Sequence, residues 1–173
     1  PPTGWRTYRT GAEGSPAWEP SSDARSGAKA ALNRGMPPGA VYQDWLVSPP
    51  IHLRAGGAGF FTFWQKAIDS TNGAEQHTVA ISFGSPNPAD GQYFNLDYPA
   101  PSTEWQKVSL WMGWFTEQTV HLASKYEIWN TEVQGGQWLI DDIVLPDNTM
   151  PDACRSQPGG LVGHLGQRLV AVG

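Results

Sequence analysis

The stretch Gln43-Asp44-Trp45-Leu46-Val47-Ser48-Pro49-Pro50-Ile51-His52-Leu53 reads as one strand stopped twice by proline and then resumed. Aromatic and aliphatic residues suit a pleated, half-buried surface, so the run from Asp44 to Val47 is a strand by composition. Pro49 and Pro50 have no amide to give to a ladder, and the residue before a proline is held extended, so the chain changes course without coiling. Residues 44–48 are therefore expected to pair with one neighbour, and residues 51–53 to continue after an offset in the other sheet, as strands do at sandwich corners.

Working outward, strand-like segments recur at 5–9, 28–33, 59–66, 77–84, 92–98, 105–110, 118–128 and 137–145. Turn formers such as Ser85-Pro86-Asn87-Pro88 and Gln134-Gly135-Gly136 separate them. In the run from Gln118 to Tyr126, Val120, Leu122, Ser124 and Tyr126 share one face while Thr119, His121, Ala123 and Lys125 share the other, which is the pattern of a half-buried strand. Helical periodicity is nearly absent; the best candidate, 24–32, has Gly27 inside it and no apolar stripe. Nine strands without β-α-β alternation predict an all-β fold, a two-sheet antiparallel jelly-roll β-sandwich over residues 1–146. Residues 147–173 follow a Pro-Asp-Asn-rich change of character and are expected to be a linker or weakly docked tail.

The 173 residues carry a net charge of -5, with eleven Lys and Arg scattered along the chain, so no basic footprint for nucleic acid exists. No apolar run approaches the roughly 20 residues of a membrane helix. Cys154 is the single cysteine, which excludes a cystine-stapled scaffold. The chain opens in mid-pattern at Pro1-Pro2-Thr3-Gly4-Trp5, as a piece of a longer protein would.

The Asp-Trp-Leu-Val-Ser-Pro-Pro-Ile-x-Leu run resembles a motif of the choice-of-anchor J and cleaved-adhesin group of bacterial jelly-roll domains, which are related in architecture to MAM domains. Pro2-Thr3-Gly4-Trp5, the small-residue segment Ser26 to Ala31, Trp105-Gln106-Lys107-Val108-Ser109-Leu110 and Trp138-Leu139-Ile140-Asp141-Asp142-Ile143 match the group's other segments in order, from about residue 2 to 145. The resemblance implies a secreted or cell-surface bacterial module. It also implies a structural Ca²⁺ where the closing strand meets the early loops. Here the chain departs from the group, because the strand that precedes Pro-x-Gly-Trp and often contributes a Glu is missing.

Residue chemistry points the same way. Asp141 and Asp142 are adjacent on a strand and face opposite sides, so one of them needs compensation; a Ca²⁺ held by Asp141, Asp142 and Asp23, with oxygens from the loop 23–27, would supply it. The alternative is a carboxylate that caps backbone amides beside a solvated one. No nucleophile elbow, zinc-binding His pair, P-loop or dinucleotide fingerprint is present, and the four histidines lie far apart. Glu127, Asp141 and Asp142 leave a polysaccharide-active enzyme as the weakest reading, since a glycosidase needs two converging carboxyls.

Nine tryptophans are the unusual feature. Trp5, Trp45, Trp105 and Trp138 match the family's positions and are expected in the core. Trp18, Trp64, Trp111, Trp114 and Trp129 are surplus to it. Trp111, Trp114, Trp129, Tyr126 and Glu127 are the candidate ligand contacts: rings to stack on sugar faces and a polar group to bind hydroxyls. The same rings could instead meet a protein partner or cover the sandwich rim. The expected function is thus non-catalytic recognition of a glycan or a host or matrix component, next to other domains of a parent protein. The runner-up is an accessory domain of a secreted hydrolase or peptidase with no ligand of its own.

Overall fold

In a computed structural model, residues 3–146 are described apart from 12, 16, 36–38, 40, 55–58, 70–74, 91, 116, 130, 131 and 133. The tail expected at 147–173 lies outside the described residues. Among the described residues eleven strands are found: β1 Arg6–Thr10, β2 Trp18–Ser21, β3 Ala30–Asn33, β4 Tyr42–Val47, β5 Ile51–Leu53, β6 Phe60–Ile68, β7 Glu75–Ser82, β8 Tyr93–Leu96, β9 Gln106–Trp111, β10 Gln118–Ile128 and β11 Gln137–Val144. One sheet runs β1-β4-β10-β7-β8, with β5 also paired to β10; the other runs β2-β3-β11-β6-β9. Every pairing is antiparallel. The expected two-sheet antiparallel β-sandwich is therefore what forms. Among the described residues there is no helix, and so none long and apolar enough to cross a membrane.

The double proline does not send the strand into the other sheet, as expected, but keeps it beside the same partner. Val47 lies opposite Ala123 and Ile51 opposite Val120, so four steps on the proline side face three on β10. One extra residue flips the side-chain parity. Before it, Tyr42 and Leu46 point into the core; after it, Ile51 and Leu53 do. Ser48 makes this possible by closing the ladder that the prolines open. Its amide donates to Leu122 O at 2.8 Å, and its hydroxyl accepts from Leu122 N at 2.9 Å.

The inner faces of both sheets meet in a core that includes Phe63, Ile81, Leu122, Tyr126, Trp138 and Ile140, all at 0–1% exposure. Trp18, counted above as surplus, belongs here: it packs on Trp138 with ring centroids 5.6 Å apart. Its strand β2 is an edge, where Pro20 costs no ladder bond. On the outer side of the second sheet, Leu32, Leu139 and Ala30 form a separate small cluster with Trp105.

A buried ion pair ties the edge strand β1 to β4. Arg9 Nε and Nη2 donate to Asp44 Oδ1 and Oδ2 at 2.8 and 2.9 Å, and Asp44 Oδ2 also accepts from Ala17 N at 2.9 Å. The hydrogen bonding of Arg9 to Asp44 outweighs burial and raises the Arg9 pKa further, and the guanidinium lies 3.7 Å over the Tyr42 ring.

Candidate functional site

The cross-strand register defines what the outer face of the first sheet displays. One row reads Tyr8, Trp45, Lys125, Thr78; the next reads Thr10, Gln43, Glu127, Gln76; and on the other side lie Val47, Ala123, Ala80 and Asn95. Trp45 and Tyr93 sit on strands with β10 and β7 between them, roughly 14 Å apart across the sheet and offset by four residues along it. Their ring centroids are nevertheless 5.0 Å apart. The two side chains reach each other by leaning over Ala80 and Ala123, whose small size leaves the space.

The polar groups of this face are fixed. Lys125 Nζ donates to Glu127 Oε2 at 2.9 Å and lies 5.5 Å over the Trp45 ring. Gln43 Nε2 donates to Glu127 Oε1 at 2.8 Å, and Trp45 Nε1 to Thr10 Oγ1 at 3.2 Å. Burial pushes the Glu127 carboxyl up, but the hydrogen bonds from Lys125 and Gln43 outweigh it and leave the group below its ordinary value. Two residues beyond Glu127, Trp129 is half exposed. Aromatic surface and held hydrogen-bonding groups thus share one rigid face.

Of the sequence candidates, Glu127 and Trp129 come together at this end of the sandwich. Trp111 and Trp114 do not join them, because they flank the opposite end of β10. Its eleven residues hold the two ends roughly 33 Å apart. Trp111 packs on Phe60 at 5.0 Å, and Gly113 lies against it so closely that a Cβ there would meet the ring at 2.3 Å. Trp114 is 83% exposed, and nearby Phe83 contacts both Phe94 and Phe115. That end is an apolar aromatic patch.

Tyr126 must be withdrawn as a ligand contact. It has no exposed surface, and its hydroxyl lies 2.7 Å from Glu75 Oε2 and 3.0 Å from the Gly136 carbonyl. The reason is parity, since it shares the inward face of β10 with Val120 and Leu122. Trp45 packs among apolar neighbours as expected. Its cluster, with Val47, Ala80 and Ala123, is the one on the outer face of the first sheet and not the inter-sheet core. The contribution of Tyr8, Gln43 and Tyr93 to the face depends on register between distant strands, which no local pattern encodes.

The expected metal group also assembles differently. Asp141 Oδ2 accepts from the Arg25 and Ser26 amides at 2.8 and 3.1 Å, and its Oδ1 from the Asp142 amide at 2.8 Å. Asp142, at φ 48° in the bulge that breaks the β6–β11 register, accepts from the Ser26 hydroxyl and from Arg25 Nη1. These two donors hold its carboxyl below the usual range. Asp23 turns away to Lys66, 2.6 Å off. Arg25 also stacks on Trp64 at 3.8 Å. The three carboxylates do not converge, and no group of three metal-binding side chains occurs among the described residues. A cation-binding set needs free oxygens pointing at one centre; this set is spent on amides, a guanidinium and an ammonium, and does not fit Ca²⁺. Asp141→Ala should lower stability by about 2 kcal/mol, since bonds to a charged acceptor are lost while water reaches the freed loop amides. Asp142→Ala should cost less, and a chelator should leave the wild-type melting curve unmoved. A chelator-induced drop in melting temperature would restore the metal.

No family model matches the chain, and no curated protein matches it. Among solved structures it is similar to the K1 cleaved adhesin domain of Lys-gingipain from Porphyromonas gingivalis W83, at 17% identity, covering 86% of this chain and 93% of that one with a TM-score of 0.55. The K2 cleaved adhesin domain of Lys-gingipain aligns at 18% identity, 82% and 89% coverage and a TM-score of 0.52. The carbohydrate-binding module TmCBM61, solved with β-1,4-galactotriose, aligns at 15% identity, 83% and 88% coverage and a TM-score of 0.52. At such identities the likeness is one of architecture: the chain shares the β-sandwich fold of adhesin domains and carbohydrate-binding modules.

Proposed function

We propose that this chain is a non-catalytic carbohydrate-recognition module of a secreted or cell-surface protein, acting beside other domains of that protein. The outer face of the first sheet carries the reading. A sugar offers an apolar ring face and a rim of hydroxyls, so its receptor needs aromatic surface next to donors and acceptors that do not move. Tyr8 and Tyr93, on strands, and Trp129, one residue past the end of β10, supply the first, and the Gln43–Glu127–Lys125 chain, all on strands, supplies the second. Such preorganisation lowers the ordering cost of binding. The fold shared with a galactotriose-bound module and with adhesin domains supports the same reading.

Catalysis finds no support in the carboxylates. Glu127 stands outside one sheet, and Asp141, opposite Trp64, stands outside the other. The sheets pack about 10 Å apart, so the carboxyls are separated by more than the roughly 5–9.5 Å that glycoside hydrolysis uses. On a glycan array, Trp129→Ala should weaken binding at least about tenfold, the equivalent of roughly 1.4 kcal/mol, with melting little changed; Glu127→Ala should weaken it as much but also lower the melting temperature, because the Lys125 ammonium, 9% exposed, loses its partner. Trp114→Ala should leave it intact.

A second reading has its own observation. The exposed Trp114 with Phe83, Phe94 and Phe115 forms an apolar patch that suits a protein surface better than a sugar. If Trp114→Ala abolishes attachment while the face variants are silent, recognition belongs to that end and the partner is a surface protein.

A further inference from the structure

Four buried side-chain polar atoms that find no hydrogen-bond partner among the described residues, Glu75 Oε1, His77 Nε2, Thr78 Oγ1 and Tyr98 OH, all belong to residues that line one cavity of about 540 Å³. Orphaned buried polar groups are rare, and each costs free energy unless something meets it. Their concentration here has a topological cause. β8 pairs with β7 only from Val79 to Ser82, so beyond Leu96 the chain departs and leaves the Glu75–Thr78 part of that edge without β8. The departing segment is pinned to the second sheet, where Gln65 Nε2 donates to Pro99 O at 2.9 Å and Ala67 N to Ser102 O at 2.8 Å. The cavity is the gap between them, with Asn95 and Asp97 on its wall.

The groups inside are held. The side chains of Glu75 and His77 are 2% and 6% exposed, and Glu75 Oε1 stands 3.7 Å from His77 Nε2, too far for a hydrogen bond. Glu75 Oε2 is fixed by Tyr126 and the Gly136 amide, and the imidazole by the Tyr126 and Trp138 rings at 5.3 and 5.0 Å. Burial keeps His77 neutral above about pH 4. The volume lies within the roughly 300–1,000 Å³ of small-molecule sites.

We infer that this cavity is a second saccharide subsite, which takes one neutral sugar unit and rejects acidic sugars; the inference rests on the carbohydrate reading of the adjoining face. Sugar hydroxyls donate and accept, as this mixture of two carboxylates, two hydroxyls, two amides and a neutral imidazole requires. Among the described residues no Lys or Arg lines the cavity, whereas Glu75 and Asp97 do, so a uronate would meet negative charge there. Thr78 lies opposite Lys125 and Asn95 opposite Ala80, which makes the cavity continuous with the outer face.

The test uses D-glucose with D-glucuronate, and D-galactose with D-galacturonate, measured by saturation-transfer NMR and by competition against a glycan-array hit. The variants are Tyr98→Phe and Thr78→Val, which delete one hydroxyl each and keep the shape. At least one neutral sugar should bind and its uronate bind at least tenfold more weakly, with either variant reducing neutral-sugar binding about fivefold or more at an unchanged or higher melting temperature. Unchanged binding in both variants, or a uronate bound as well as its neutral partner, overturns the subsite. If the Trp129→Ala loss persists alongside, the face reading survives that failure. A wild type that binds none of these sugars and no glycan overturns both.

Discussion

Asp44→Ala should destabilise the protein by about 3–5 kcal/mol, the range found when one member of a buried ion pair is removed. The Asp44 side chain has no exposed surface and that of Arg9 only 12%, so the variant leaves a guanidinium with little access to water. Two charge-assisted bonds disappear, and the Ala17 amide loses its acceptor. Because Ala17 immediately precedes β2 of the opposite sheet, the loss also loosens the edge where the sheets are linked. Urea unfolding measures it. A double variant, Arg9→Met with Asp44→Leu, should recover part of the loss, since apolar replacement of a buried pair removes the stranded charge but not the Ala17 vacancy. A single variant costing under about 1 kcal/mol would show that water reaches Arg9.

The strand sequence was legible because its signal is local. Alternation along 118–128 assigned Tyr126 to the same side as Val120, and that side proved to be the core. Asp44 gave no such warning. An acidic residue inside an aromatic-aliphatic strand says that a partner must exist, yet Arg9 is 35 positions away and only strand pairing brings it near. The double proline showed where the ladder breaks, but not that Ser48 repairs it on β10, since its hydroxyl meets an amide 74 positions on. The candidate site was half visible for the same reason. Glu127 and Trp129 are neighbours in sequence, whereas Gln43 and Tyr8 join them through register, and Tyr93 through the reach of its ring to Trp45. Nothing local foretold the β7–β8 cavity, because it exists where two strands cease to pair.

That cavity should also set the acid limit of the fold. Burial lowers the His77 pKa from an ordinary 6.5 to about 4, with Glu75 opposing the shift in part. Above pH 6.5 the imidazole is neutral both folded and unfolded and exerts no bias. Between 6.5 and 4 the unfolded chain binds a proton that the folded chain refuses, so stability falls as pH falls. At about 1.36 kcal/mol per pH unit the loss reaches roughly 3 kcal/mol by pH 4 and grows no further from this group below it. Carboxylates add their own losses at lower pH, so the diagnostic is a difference. His77→Phe keeps a ring against Tyr126 and Trp138 but cannot titrate. Its urea midpoint should decline less steeply than the wild type's between pH 6.5 and 4, by close to one proton's worth of slope, and the two curves should run parallel above pH 7. Parallel curves throughout would mean that the folded protein protonates His77 as readily as the unfolded chain does. The cavity would then have to be hydrated enough to solvate an imidazolium, and its four orphaned atoms would be met by water rather than kept for a sugar.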